Sequence, residues 1–169
     1  NQRIDFLFPA ENSLVAGSSD GLIPISSGST AEATTKLNIV ARKAIEDGSN
    51  GSSPVKVDNT AIYIDFTNRK TRSFSYDLLT EKFKAPNLNL ANMDLTIAGL
   101  RYAVSKKDDY NYFYVLLEDG TMLIAEFIAD ENINGWAVVR TSVGEIKEAI
   151  SIPRGDGFED LIISLYWNS

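Results

Sequence analysis

Carboxylates, lysines, tyrosines and hydroxyls are the main side chains this sequence offers for chemistry, because it contains no histidine and no cysteine. The commonest general base and the commonest transition-metal ligand are therefore missing, which excludes Ser–His–Asp catalysis and imidazole-bound zinc. Thiolate nucleophiles, disulfides, iron–sulfur clusters and sulfur-bound zinc go with the cysteines. What remains is acid–base work by two carboxylates, as in glycoside hydrolysis, which needs a fixed separation across a cleft. Asp5, Asp65, Glu118 and Glu126 are the candidates, with Asp65 and Glu126 inside strand-like runs. No spacing selects a pair among them, and charges at strand edges ordinarily protect the edge. The run Gly155-Asp156-Gly157-Phe158-Glu159-Asp160 invites a calcium reading but lacks the alternating ligands and distal glutamate of an EF-hand loop. It reads as a solvated hairpin loop after Pro153.

Binding side chains are no more decisive. Tyr110, Tyr112 and Tyr114 would share one face of an extended strand and could stack on sugar rings, yet strand aromatics ordinarily pack. Arg69, Lys70 and Arg72 cluster at a turn, a weak nucleic-acid signal, and Lys106-Lys107-Asp108-Asp109 reads as a solvated loop. A net charge of −7 argues against binding a phosphate backbone through a basic face. No Gly-rich loop joins a strand to a helix, so a phosphate cradle is absent. The expectation is a protein with no catalytic, cofactor-binding or metal-binding residue and no cofactor.

The elements that would position these residues are strands. Hydrophobic residues at 44% and charged residues at 23% are those of a folded domain, and 169 residues suit one domain. No signal-peptide pattern and no run of about 18 apolar residues is present. The runs Leu14–Ile25, Ile62–Phe74 and Phe113–Ile124 each read strand, tight turn, strand. Their turn residues Asp20, Asn68 and Asp119 recur about 50 residues apart, and Asn168 begins a fourth turn in step, matching a repeat of one propeller blade.

Flanking strands are expected at Ile4–Phe8, Val55–Val57, Ile97–Val104 and Glu145–Ile152 before the hairpins, and at Leu37–Ala41, Phe83–Leu90 and Trp136–Thr141 after them. With Leu161–Trp167 this makes fourteen strands. Segment 36–46 also carries a helical face (Leu37, Val40, Ala41, Ala44, Ile45) with Gly48 placed as a C-cap, so helix and strand both stay open there. Inner runs such as Phe113–Leu117 and Leu161–Ile163 are apolar on both faces, as blades stacked face to face require.

The reading is all-β: a partial β-propeller of about three and a half four-stranded blades, approximately 3–45, 53–92, 95–142 and an incomplete 145–169. All four belong to a single fragment, 1–169, and the alternative is a β-sandwich. Both ends look cut from something longer, and the apolar strand Leu161–Trp167 is expected to be an exposed edge that something covers.

From Thr34 to Leu161 an ordered set of short motifs resembles a family of tailed-phage and prophage tail stabilisation proteins, related to the propeller-bearing tail tube or nozzle proteins of short-tailed phages. The residues are Asn38-Ile39-Val40-Ala41-Arg42, Gly51-Ser52-x-Pro54-Val55, the Asn59-led hairpin and Arg72-Ser73-Phe74-Ser75-Tyr76-Asp77. After them come Ala85-Pro86-Asn87-Leu88, Ile97 to Tyr102, Asp119-Gly120-Thr121-x-Leu123, Gly135-Trp136, Ile152-Pro153 and Glu159-Asp160-Leu161. Two places depart: Phe113-Tyr114 stands where the family has Leu-Trp, and Ala103-Val104-Ser105 where it has Tyr-Gln-Gln.

The resemblance implies a virion tail component assembled in the host cytoplasm. Its partners would be other copies of itself in a ring, hexameric in the full particle, and neighbouring tail or adaptor proteins. There would be no membrane partner, and DNA would pass only as cargo in a conduit. It carries over no active site. The alternative function is a carbohydrate- or receptor-binding propeller module.

Overall fold

A computed structural model describes residues 3–10, 13–27, 33–57, 60–107, 112–128 and 133–167. Among the described residues, fourteen strands fall in chain order into four antiparallel sheets. The first holds β1 (Phe6–Ala10), β2 (Ser13–Ser18), β3 (Gly21–Ser26) and β4 (Val40–Ala41). The second holds β5 (Val55–Val57), β6 (Thr60–Ile64), β7 (Thr71–Asp77) and β8 (Lys82–Lys84). The third holds β9 (Leu100–Ser105), β10 (Tyr112–Leu117), β11 (Met122–Ile128) and β12 (Ile133–Val139). The last is a hairpin of β13 (Glu145–Pro153) and β14 (Glu159–Tyr166). Within each sheet neighbours in sequence are neighbours in space, so every sheet is a meander built from local contacts.

Turn chemistry explains the hairpins. Asn68 adopts φ 57° and Gly120 φ 79°, left-handed conformations that asparagine and glycine tolerate. Asn59 and Asn168, with Asp108, Asp109 and Tyr110, lie outside the described residues. The strand expected at Leu37–Ala41 shrinks to the two residues of β4, and no helix forms over 36–46. Asn38 Oδ1 accepts a bond from Thr35 N at 2.7 Å, and this local bond favours a turn over either regular element. The strand expected at Phe83–Leu90 stops at Lys84, and a short 3-10 segment, Leu90–Thr96, follows where no helix was foreseen. β9 begins at Leu100, leaving Ile97 exposed.

Among the described residues three apolar cores hold the sheets together, each between sheets consecutive in the chain. Phe6, Val15 and Leu22 of the first sheet pack on Ala61, Tyr63 and Phe74 of the second. Val57, Ile62 and Ile64 of the second pack on Phe113, Val115 and Leu117 of the third. Leu116 and Met122, on the third sheet's other face, pack on Ile146 and Ala149 of the last hairpin. The central strand β6 is buried at every position, because it has a neighbour on each face. Among the described residues no core joins the first sheet to the last hairpin.

Candidate assembly surface

The joints between sheets repeat. In each, an amide of the chain entering the next sheet donates to the hairpin turn of the sheet before. Ser49 N reaches Ser18 O at 2.8 Å, Leu100 N reaches Asn68 O at 2.7 Å, and Ile146 N reaches Gly120 O at 3.1 Å. Return bonds run from Phe66 N to Gly48 O and from Glu118 N to Gly99 O, both 3.0 Å. Glycine is required at the first joint, since a β-carbon on Gly48 would lie 2.0 Å from Ser19 O. The closest approaches between sheets involve their first and second strands, β1 on β6, β5 and β6 on β9, and β9 and β10 on β13. The sheets thus converge on one side and splay on the other.

In the third sheet and the last hairpin one residue on the convergent side leaves the regular register. The β9–β10 pairing steps over Arg101, and the β13–β14 pairing steps over Lys147. Asp5 N bonds Gly17 O at 2.8 Å beside the Phe6–Gly17 pair, and Asn50 N bonds Ile64 O at 3.0 Å. Arg101 and Lys147 are therefore bulge positions, where side chains are re-aimed, and Asp5 and Asn50 stand at the corresponding places beside the first two sheets. Here they aim at the following sheet. Asn50 Nδ2 donates to Arg101 O at 3.1 Å, and Arg101 Nη1 donates to Lys147 O at 3.2 Å. A β-carbon on Gly51 would sit 3.8 Å from the Asp5 carboxyl carbon, so Asp5 also lies against the next sheet. Lys147 Nζ instead donates to its own Glu145 Oε2 at 2.7 Å and lies over the Tyr166 ring.

The two end faces of the stack are apolar. Phe6, Phe8 and Val15 face the second sheet, so alternation turns Leu7, Leu14 and Ala16 to the opposite side, with Ile23 and Ile25 paired beside them. Leu7 and Leu14 are exposed there. At the far end Ile146, Ala149, Leu161 and Ile163 face the third sheet, and Ile150 and Ile162, cross-strand partners, are exposed on the other side.

The residues singled out from the sequence scatter, and most serve the fold. Asp65 is buried in its turn, its carboxylate accepting from Thr67 Oγ1 at 2.7 Å and Lys70 N at 3.2 Å. Asp5 pairs with Arg3 at 3.3 Å, and Glu118 lies 3.8 Å from Arg101. Glu126 is half-buried in β11 opposite Tyr112 and Gly135. Among the described residues no three acidic groups gather as a metal would need.

The acidic loop is internally satisfied: Arg154 contacts Asp156 at 2.8 Å and holds its carboxyl below the usual range, helped by Phe158 N. Arg72 turns inward, donating to Ala85 O at 2.7 Å and pairing with Asp47 at 3.0 Å, while Arg69 reaches Met93 O at 3.4 Å. This basic cluster is therefore largely structural. Tyr114 packs on the third core and Tyr112 is half-buried. Asp77, at the end of the Arg-x-x-x-Tyr-Asp stretch, pairs with Lys84 and caps Leu79 and Thr80, which lowers its pKa to about 2.

Two networks escaped the sequence reading. Tyr102 Oη accepts from Ala149 N at 2.8 Å across the third joint, and burial raises its pKa. Buried Asn89 accepts from Thr71 N at 2.8 Å and donates to Arg69 O at 3.0 Å, fixing the link between the second and third sheets. Neither leaves a local sequence signal, because each joins segments far apart in the chain.

No protein-family model matches this chain, and no curated protein matches it.

Proposed function

We infer that the chain is a partial β-propeller that serves as a structural component of a phage tail, a nozzle or stabilisation protein acting through assembly and without catalysis. One observation carries the reading: consecutive four-stranded meanders converge on their first strands, and both end faces of the stack remain apolar. Blades arranged around an axis converge in this way. Stacked repeats that terminate a soluble particle ordinarily carry polar outer faces. Apolar faces at both ends suit a unit embedded in a larger assembly, whereas an enzyme or lectin would advertise a pocket with convergent polar groups. The candidate carboxylates instead bind their own turns and neighbouring bases.

Tailed particles released from the host that carries the gene test the reading. The chain should co-purify with intact virions at the abundance of a tail protein, and antibody labelling should decorate the tail. Particles of normal composition that lack it would sink the proposal.

A further inference from the structure

We propose that the outer strand β12 is a docking edge, where an extended segment of a partner protein adds to the third sheet as a further strand. The segment carries a lysine or arginine between apolar neighbours, and this base lies across Gly135 to pair with Glu126. The proposal goes beyond the tail reading and does not depend on it, since it uses only the third sheet and its edge.

A sheet edge presents unpaired amides and carbonyls, and proteins ordinarily blunt it by shortness, lysine or proline. The outer strands of the first two sheets are blunted in this way: β4 has two residues, and β8 is Lys82-Phe83-Lys84. β12 runs for seven residues, Ile133 to Val139, with no charge and no proline. It pairs with β11 along its whole length and, among the described residues, makes no backbone bond on its other side. It is also held in place beforehand. Asn134 Nδ2 and Trp136 Nε1 both donate to Leu88 O, the second at 3.1 Å, and the Trp136 ring meets Phe113 edge-on at 5.5 Å. A strand fixed in advance loses little freedom when a partner pairs with it. Because β12 lies in the chain between β11 and β13, its open edge belongs to the third sheet itself.

Glu126 says what the added strand carries. It is half-buried on β11 opposite Gly135, on the same face as Met122, and makes no ion pair or hydrogen bond among the described residues. Charges withdrawn from water ordinarily have a partner. A β-carbon on Gly135 would have nothing within 4 Å, so the path from the edge to this carboxylate is open. Strands lie about 4.8 Å apart, which puts a residue facing Gly135 on an added strand about 10 Å from Glu126. A lysine or arginine stem laid over the glycine spans that gap together with the glutamate side chain. The residues on either side of the base turn to the opposite face, beside Trp136 and exposed Val138, where apolar side chains fit. A net charge of −7 favours a basic partner in the same sense. Main-chain pairing supplies the affinity in such strand addition, and the alternate side chains supply the specificity. A second copy of β12 does not fit, because it would bring another glycine and another Glu126 in place of the base.

The probe is an end-capped peptide matched in length to β12, alternating valine and threonine with one central threonine replaced by lysine, added to the full chain. Calorimetry should show saturable binding at one site, and hydrogen exchange should show new protection in β12 and none in β4 or β8. A peptide with glutamate in place of the lysine should bind at least tenfold more weakly. Glu126→Gln keeps the shape of the side chain and should weaken the lysine peptide about tenfold, the scale of one charged hydrogen bond. Gly135→Val closes the path over the glycine and should do the same while leaving the unfolding midpoint in place. Glu126→Lys should reverse the preference and take the glutamate peptide.

Failure of the lysine peptide to bind, equal binding to Glu126→Gln, or protection falling on β4 or β8 would overturn the docking edge. So would protection of β12 by a second copy as the peptide-free chain is concentrated. These outcomes are independent of the virion test. A chain that binds the peptide yet is absent from tails keeps the edge and loses the tail role, and a tail protein that ignores the peptide does the reverse.

Discussion

Ile62 and Ile162 are the same residue at the same place in two hairpins of the stack, yet the first is 0% exposed and the second 47%. Each lies on the second strand of its sheet and points toward the face a following sheet would cover. The third sheet covers Ile62, and among the described residues no sheet covers Ile162. The hairpins themselves are alike in being apolar on both faces. Burial in this molecule is therefore conferred by position in the stack, and a strand's own sequence only makes it eligible.

Core truncation gives the largest expected difference between the two regions. Ile62→Ala should cost about 2–5 kcal/mol in denaturant unfolding, because the second and third sheets cannot collapse onto the space left. Ile162→Ala in the dilute chain should change stability by less than about 0.5 kcal/mol. Equal costs would show that the last hairpin is already covered. The joints give the next contrast. Gly48→Ala should cost about 1–3 kcal/mol, since its methyl group would meet the Ser19 backbone and force the first two sheets apart. Gly135→Ala, on β12 with open space around it, should stay within about 0.5 kcal/mol. A neutral Gly48→Ala would mean that the joint is soft.

The links between sheets sharpen the same comparison at smaller scale. Asn89→Ala leaves the buried Thr71 amide without its partner, while the Arg69 carbonyl keeps the bond from Thr96 Oγ1, a loss of about 1–3 kcal/mol. The link into the last hairpin carries the exposed bond from Thr141 Oγ1 to Gly144 O, so Thr141→Ala should cost less than about 0.5 kcal/mol. Thermal melts of the two variants side by side decide it. Similar shifts would contradict the view that the interior is the rigid part of the stack.

The same contrast explains what could be read before the structure was known. Asp20, Asn68 and Asp119 announced their hairpins because turn conformations depend on the residue that adopts them. The both-face apolar runs announced stacked sheets for a similarly local reason. The joint residues did not announce themselves: Asp5, Asn50, Arg101 and Lys147 share no side-chain type, and their equivalence exists only in the pairing register. The 3-10 segment Leu90–Thr96 was hidden because its anchor, Asn89, is fixed by partners some twenty residues upstream. Arg72 read as part of a basic turn because its partners Asp47 and Ala85 are distant in sequence. Segment 36–46 carried two competing periodicities and became a turn and a two-residue strand.

The smallest expected effect concerns acid, and it separates the two regions by mechanism. The core between the second and third sheets is built from apolar side chains such as Ile62, Phe113 and Leu123. The contact between the third sheet and the last hairpin instead uses Glu159, whose Oε2 accepts from Lys107 N at 2.8 Å and from Ser151 Oγ at 2.8 Å. The Lys107 amide, and after it the Ser151 hydroxyl, hold the Glu159 carboxyl below its ordinary pKa. A carboxyl group depressed in the folded state adds stability above its unfolded pKa, near 4.3, and that stability is lost as pH falls through the folded value. Glu159 is largely solvated, so the loss is small, but it is local. In an NMR titration the Lys107 amide shift should follow a single proton with a midpoint below about 4.3, and Glu159→Gln should abolish that response. A midpoint at or above the ordinary glutamate value would mean that the carboxylate does not hold the hairpin, and the third joint would then rest on its other bonds, among them Ala149 N to Tyr102 Oη, Ile146 N to Gly120 O and Arg101 Nη1 to Lys147 O, and on the apolar contacts.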